Sequence, residues 1–218
     1  MKAVRDWVGW HDAYDEPGSS LHRRLRIVQG LVVDALDQMP LRPLRLVSMC
    51  AGQGRDVIGA LAQHPRRDEV TALLVELDES NAAAARSGAR AAGLHGVEVV
   101  SADAGLTDAY LGAVPADVVL VCGVFGNIVD DDIAFTIEQL PQICADGAIV
   151  IWTRNREPAD LTTTIRKWFA AAGFGEVALV APSDVTFAVG AHRLLGTPTR
   201  LSRGVRFFEF LDEQLPTR

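Results

Sequence analysis

The chain has 218 residues, 49% of them apolar, with 21 Lys+Arg against 28 Asp+Glu and a formal net charge of −7. A chain of this size can bury one large core, and its acidic balance argues against a protein whose main task is gripping a nucleic-acid backbone. The longest apolar run, Val118 to Val129, is broken by Gly and Asn and is too short to span a bilayer. The N-terminus lacks a signal-peptide plan, so the expectation is a cytoplasmic protein with no membrane partner, folded as one domain over residues 1–218.

Residues 1–16 are polar and aromatic. From Ser20 to Gln38, Leu21, Leu25, Val28, Val32 and Ala35 recur at three- and four-residue steps, which predicts a helix capped by Ser19 or Ser20 and ended by Met39-Pro40. Arg23, Arg24 and Arg26 lie mostly off that stripe and read as a solvated face. Strands are predicted at Leu44 to Met49, Val70 to Leu77, Val97 to Ser101, Asp117 to Cys122 and Ala148 to Thr153. Between them come helices near Arg55 to Gln63, Ser80 to Ala92 and Asp131 to Leu140, and a further helix follows at Asp160 to Ala172. Strands alternating with helices predict a parallel sheet of βαβ units. Glu176–Val180, Thr186–Leu194 and Val205–Leu211 read as strands without intervening helices. The fold class expected is therefore α/β: a Rossmann-like, mostly parallel sheet with helices on both faces and an antiparallel C-terminal hairpin. Residues 1–40 would form an N-terminal lid and helix, and residues 41–218 the core.

Cys50, Cys122 and Cys144 form no C-x-x-C, and the five histidines show no metal-ligand spacing, so no built-in metal site is expected. Ligands of open α/β sheets sit beyond the carboxyl ends of the strands. At the first such end stands Cys50-Ala51-Gly52-Gln53-Gly54, whose glycines let backbone approach a ligand and present N–H groups at a helix start. Glu76 ends the second strand, where a carboxylate can accept from both hydroxyls of a ribose. Asp103 follows the third and can receive an exocyclic adenine NH₂. A dinucleotide fingerprint needs a third glycine where Val57 stands, and no Gly-Lys-Ser/Thr of a P-loop is present.

From about Leu44 to His192 these signals resemble the class I S-adenosylmethionine-dependent methyltransferases. The segments SMCAGQGRD, VELD, CGVFGN and IWTRNR are also similar to those of a bacterial group of uncharacterised methyltransferases. The resemblance implies S-adenosylmethionine as cofactor. It places the methionyl part over Cys50, Ala51, Gly52, Gln53 and Gly54, the ribose on Glu76 and the adenine amino group on Asp103. Leu77 and Ala104 would flank the base, and the carbonyl of Cys122 would face the methionyl ammonium. Where that family usually has an acid and a glycine, this chain has Ser48 and Cys50. Asp15 and Asp56 are the candidates for the missing charge.

An N-terminal segment often closes such sites, which makes Tyr14 a candidate contact for the methionyl carboxylate. His11 is a candidate general base, because the imidazole side chain in general titrates near 6.5 and can take a proton at neutral pH. Phe125 and Asn127 beyond the fourth strand, and Trp152 and Arg154 on the fifth, are candidates for the acceptor site. Asn127 reads equally as a helix cap, and Asp130, Asp131 and Asp132 read as helix N-terminal charge. The function expected is methyl transfer by in-line displacement to an oxygen or nitrogen of a small molecule. A nucleic-acid methyltransferase, a non-catalytic S-adenosylmethionine binder and, more distantly, a dehydrogenase stand as alternatives. The net charge of −7 and the lack of an N/D-P-P-Y/F motif weigh against the first, so no nucleic-acid partner is expected.

Overall fold

The computed structural model describes residues 14, 16–157 and 159–211. His11 and Asp15 therefore lie outside the described residues. In chain order the elements are α1 (Ser20–Gln38), β1 (Leu44–Met49), α2 (Arg55–Leu61), β2 (Val70–Glu76), α3 (Glu79–Ala91) and β3 (Val97–Ser101). Then follow β4 (Ala116–Val121), α4 (Asp130–Gln139), β5 (Cys144–Asn155), α5 (Thr162–Ala171), β6 (Phe174–Val180) and β7 (Phe187–Leu194). Single 3₁₀ turns lie at Arg67–Glu69, Thr107–Tyr110 and Leu140–Gln142.

The strands form one seven-stranded sheet in the order β3-β2-β1-β4-β5-β7-β6. β3, β2, β1, β4 and β5 run parallel, while β7 is antiparallel to both β5 and β6. Strand order reverses between β1 and β4, so a crevice opens at their carboxyl ends. β4 (ADVVLV) is buried along its whole length, as a central parallel strand covered on both faces must be. Val118 and Leu120 pack with α1, α2 and α3 on one side, and Val119 and Val121 with α4 and α5 on the other. Each such side chain contributes roughly 1.5–3 kcal/mol of transfer free energy.

Local chemistry sets the element ends. Ser19 caps α1 by accepting from the His22 amide at 3.0 Å, and Asp78 caps α3 by accepting from Asn81 at 2.9 Å. α1 has no basic residue in its last turn. Its far end is instead held by Arg66, which precedes β2. Nη1 donates to the carbonyls of Leu36 (2.9 Å) and Met39 (3.1 Å), and Nη2 to those of Pro40 (2.8 Å) and Arg42 (3.0 Å).

One predicted strand is absent. Val205–Leu211 forms no strand, and its only ladder contact is a single bridge between Leu106 and Arg206. It runs instead as an irregular strap across the ends of β3 and α4. The Phe207 amide donates to the Gly105 carbonyl (2.7 Å), the Thr136 hydroxyl to the Phe207 carbonyl (3.0 Å), and the Leu211 amide to the Asn127 carbonyl (2.8 Å). Among the described residues no helix is long and apolar enough to cross a membrane.

Candidate active site

The crevice is a cavity of about 1040 Å³. Its floor is the β1–α2 turn, where Cys50, Gly52 and Gly54 have φ of 50°, 56° and 68°. These left-handed values explain the glycines, and Cys50 adopts a conformation that costs a side chain on the order of 1 kcal/mol. Gly54 has a second constraint, since a Cβ there would lie 2.6 Å from Leu74 Cδ2. Cys50, Ala51, Gly52 and Gln53 line the cavity, whereas Gly54 lies beneath the lining. Burial pushes the thiols of Cys50 and Cys122 well above the ordinary range, so both are neutral walls and not nucleophiles.

Glu76 and Asp103 reach the same cavity, with Leu77 and Ala104 beside them. Glu76 Oε2 accepts from the Gly52 amide (2.7 Å) and Oε1 from the Asp78 amide (2.9 Å). Two backbone donors thus aim the carboxylate, and its remaining lone pairs stay available. Asp103 Oδ1 accepts from the Gly105 amide (2.8 Å) and Oδ2 from Arg206 Nη1 (2.9 Å). That arginine was not singled out in the sequence.

At the other end stand Tyr14, Arg24, Arg55, Asp56 and Cys122. The Tyr14 hydroxyl accepts from Arg24 Nη2 at 2.6 Å, and the guanidinium carbons of Arg24 and Arg55 lie 5.9 and 5.7 Å from its ring centroid. Burial raises the Tyr14 phenol above its usual value and also raises the Asp56 carboxyl. Arg24 is therefore not part of a purely solvated face: it lies off the apolar stripe of α1 and turns into the cavity. Ser48 is fully buried, and its Oγ has no hydrogen-bond partner.

The candidates for the acceptor side divide. Asn127 lines the cavity, with Nδ2 donating to the Gly123 carbonyl at 2.6 Å. It does not cap α4, whose N-cap is Val129, while Asp130, Asp131 and Asp132 do occupy the first turn of that helix. Phe125 and Trp152 are fully buried and do not line the cavity. Trp152 packs against Phe125, Phe169 and His192, with Nε1 donating to His192 Nδ1 at 3.1 Å. It faces Gly190 of β7, where a Cβ would come within 2.4 Å of the indole. Arg154 also lies outside the lining and donates to the Phe125 carbonyl. Thr153, Asn155, Thr186 and Phe187 line that wall instead. Strand alternation could have marked Thr153 and Asn155 as sharing a face, but nothing local marked Thr186 or Phe187.

A doubly wound sheet with a glycine-bearing β1–α2 turn and acids at the next two strand ends defines the class I methyltransferase fold. The family model described as "Putative methyltransferase" matches residues 16–166, and the chain belongs to that family. No curated protein matches the chain. Solved structures share the fold. Magnesium protoporphyrin IX methyltransferase (ChlM) from Synechocystis PCC 6803, solved with bound S-adenosylmethionine, is 14% identical over 88% of this chain and 99% of its own, with a TM-score of 0.61. An O-methyltransferase family protein from Burkholderia thailandensis is 16% identical over 86% of this chain and 59% of its own (TM-score 0.62). An RNA methyltransferase from Salinibacter ruber, solved with S-adenosyl-L-homocysteine, is 19% identical over 79% and 97% (TM-score 0.52).

Proposed function

We propose that the protein transfers a methyl group from S-adenosylmethionine to an oxygen or nitrogen of a small-molecule acceptor. The observation that carries this reading is the meeting of Glu76, Asp103 and the Cys50–Gln53 turn in one cavity. When bound, S-adenosylmethionine supplies a methyl already activated by a sulfonium, which leaves the protein to provide geometry and a dry site. Glu76, oriented by the Gly52 and Asp78 amides, holds the ribose hydroxyls. Asp103 accepts from the adenine amino group, and Leu77 and Ala104 flank the base.

At the methionyl end, Arg24 and Tyr14 take the carboxylate. The Cys122 carbonyl and Asp56 take the ammonium, Asp56 providing the charge that Ser48 lacks. An ammonium beside Asp56 favours its ionised form and offsets the effect of burial. The acceptor lies toward Asn127, Thr153, Asn155 and Thr186, a neutral polar wall. His11 is proposed to take the proton when the acceptor is a hydroxyl. Alignment of this kind can lower the barrier by roughly 7–11 kcal/mol. Helix α1 belongs with the core as one domain, since it walls the cavity through Ser20, Leu21, Arg24 and Leu25.

A thermal-shift panel with S-adenosylmethionine, S-adenosylhomocysteine and NAD tests the donor. Stabilisation by the first two and not by NAD is expected, whereas a shift with NAD alone overturns the reading. An acceptor screen that follows S-adenosylhomocysteine release then tests the substrate class. Saltable retention of RNA with turnover on RNA would replace the small molecule.

A further inference from the structure

The nucleoside end of the cavity has a wall that the Rossmann-like core does not supply. Arg206, Phe208 and Phe210 of the strap line the same cavity as Glu76, Leu77, Asp103 and Ala104. The strap is firmly seated. Phe207 is buried and stacks on Tyr110, with centroids 6.4 Å apart and an interplanar angle of 22°. Gly105 must be glycine for the strap to lie where it does, because a Cβ there would stand 2.4 Å from the Phe208 carbonyl oxygen.

Two large apolar side chains lining this cavity remain open to water: Leu77 is 71% exposed and Phe210 45% exposed. The Phe210 ring stacks on that of the buried Phe208, with centroids 5.7 Å apart and 29° between planes. Both line the cavity that Asp103 also enters. Arg206 bonds to Asp103 Oδ2 while the Gly105 amide bonds to Oδ1, so the carboxylate is fixed from both sides and keeps a lone pair on each oxygen.

From this arrangement, and resting on the donor reading above, we infer that the strap Val205–Leu211 is part of the nucleoside site. Phe210 covers the face of the adenine, and Arg206 is a positioning residue that holds Asp103 toward the exocyclic amino group.

Calorimetry on the full chain with S-adenosylhomocysteine and S-inosylhomocysteine, which differ at that amino group, tests the inference. The wild type binds the adenosyl compound more tightly. Phe210→Ala weakens S-adenosylhomocysteine about 10-fold, the scale of one lost base–aromatic contact. Arg206→Gln narrows the preference for the adenosyl over the inosyl compound, and Arg206→Lys restores part of it. Phe210→Leu, which keeps apolar bulk but not the flat ring, gives an intermediate affinity and serves if the alanine variant fails to fold. No heat from the wild type with S-adenosylhomocysteine overturns the donor reading itself. Tight wild-type binding that Phe210 substitutions leave within twofold overturns the role of Phe210, and an unchanged base preference in Arg206→Gln overturns that of Arg206.

Discussion

Glu76 is the last residue of β2, and it spends one oxygen on each of two amides, Gly52 and Asp78. On the proposed reading its Ala variant loses the charge-assisted bonding to the ribose, worth about 1.5–3 kcal/mol net. The expected result is a 10- to 100-fold rise in the Kd for S-adenosylmethionine by calorimetry, with an unchanged far-ultraviolet circular dichroism spectrum. An unaltered Kd would remove Glu76 from the ribose. This residue was legible in the sequence because an acid directly after an apolar strand has few places to go except the strand-end crevice. Trp152 was not legible as a core residue. β5 is buried on both faces, with Ile149 and Ile151 in one core and Val150 and Trp152 in the other, so alternation cannot separate rim from interior. Arg24 was missed for the converse reason: its Cα lies off the buried stripe, but its long side chain reaches the Tyr14 hydroxyl.

The elements of the core follow from residue pattern to within a few residues at their ends, because the apolar period differs sharply between α2 or α3 and the strands beside them. The strap defeats the same logic. Val205 and Phe207 have strand-forming chemistry, yet their neighbours are the Gly105 carbonyl and the Thr107 and Thr136 side chains rather than a free sheet edge. Long-range placement of this kind leaves no local period. The β1–α2 turn, by contrast, is specified locally, and it yields a stability prediction. Gly54→Ala combines a φ of 68° with a 2.6 Å approach to Leu74. The cost is about 2–3 kcal/mol, or a fall in Tm on the order of 5–10 °C for a domain of this size. A melting curve that superimposes on the wild type would show that the turn relaxes freely.

For the molecule as a whole, acid stability has an identifiable contributor. His192 on β7 is 1% exposed, accepts from Trp152, and is held at a pKa of about 4, below its ordinary 6.5, first by burial. The folded state therefore prefers the neutral ring. This contribution is complete above pH 6.5 and is lost as pH falls toward 4, to a limit of about 3 kcal/mol. Urea unfolding of the wild type and His192→Gln at pH 7 and pH 4 checks it. The variant is the less stable at pH 7, and the gap narrows at pH 4. A gap that does not change with pH would assign His192 no titrating role. The Arg66 guanidinium has a consequence on the same scale. It pins one end of a 19-residue rod whose opposite end touches the reacting cavity. At 1.5 Å per residue that rod is roughly 28 Å long, so a tilt of one degree about this fulcrum displaces the tip by roughly 0.5 Å, and alignment for transfer is lost over about 1 Å. A mostly buried guanidinium at the far end of α1 thus works as the bearing of a lever, and play at the bearing is magnified at the cavity wall.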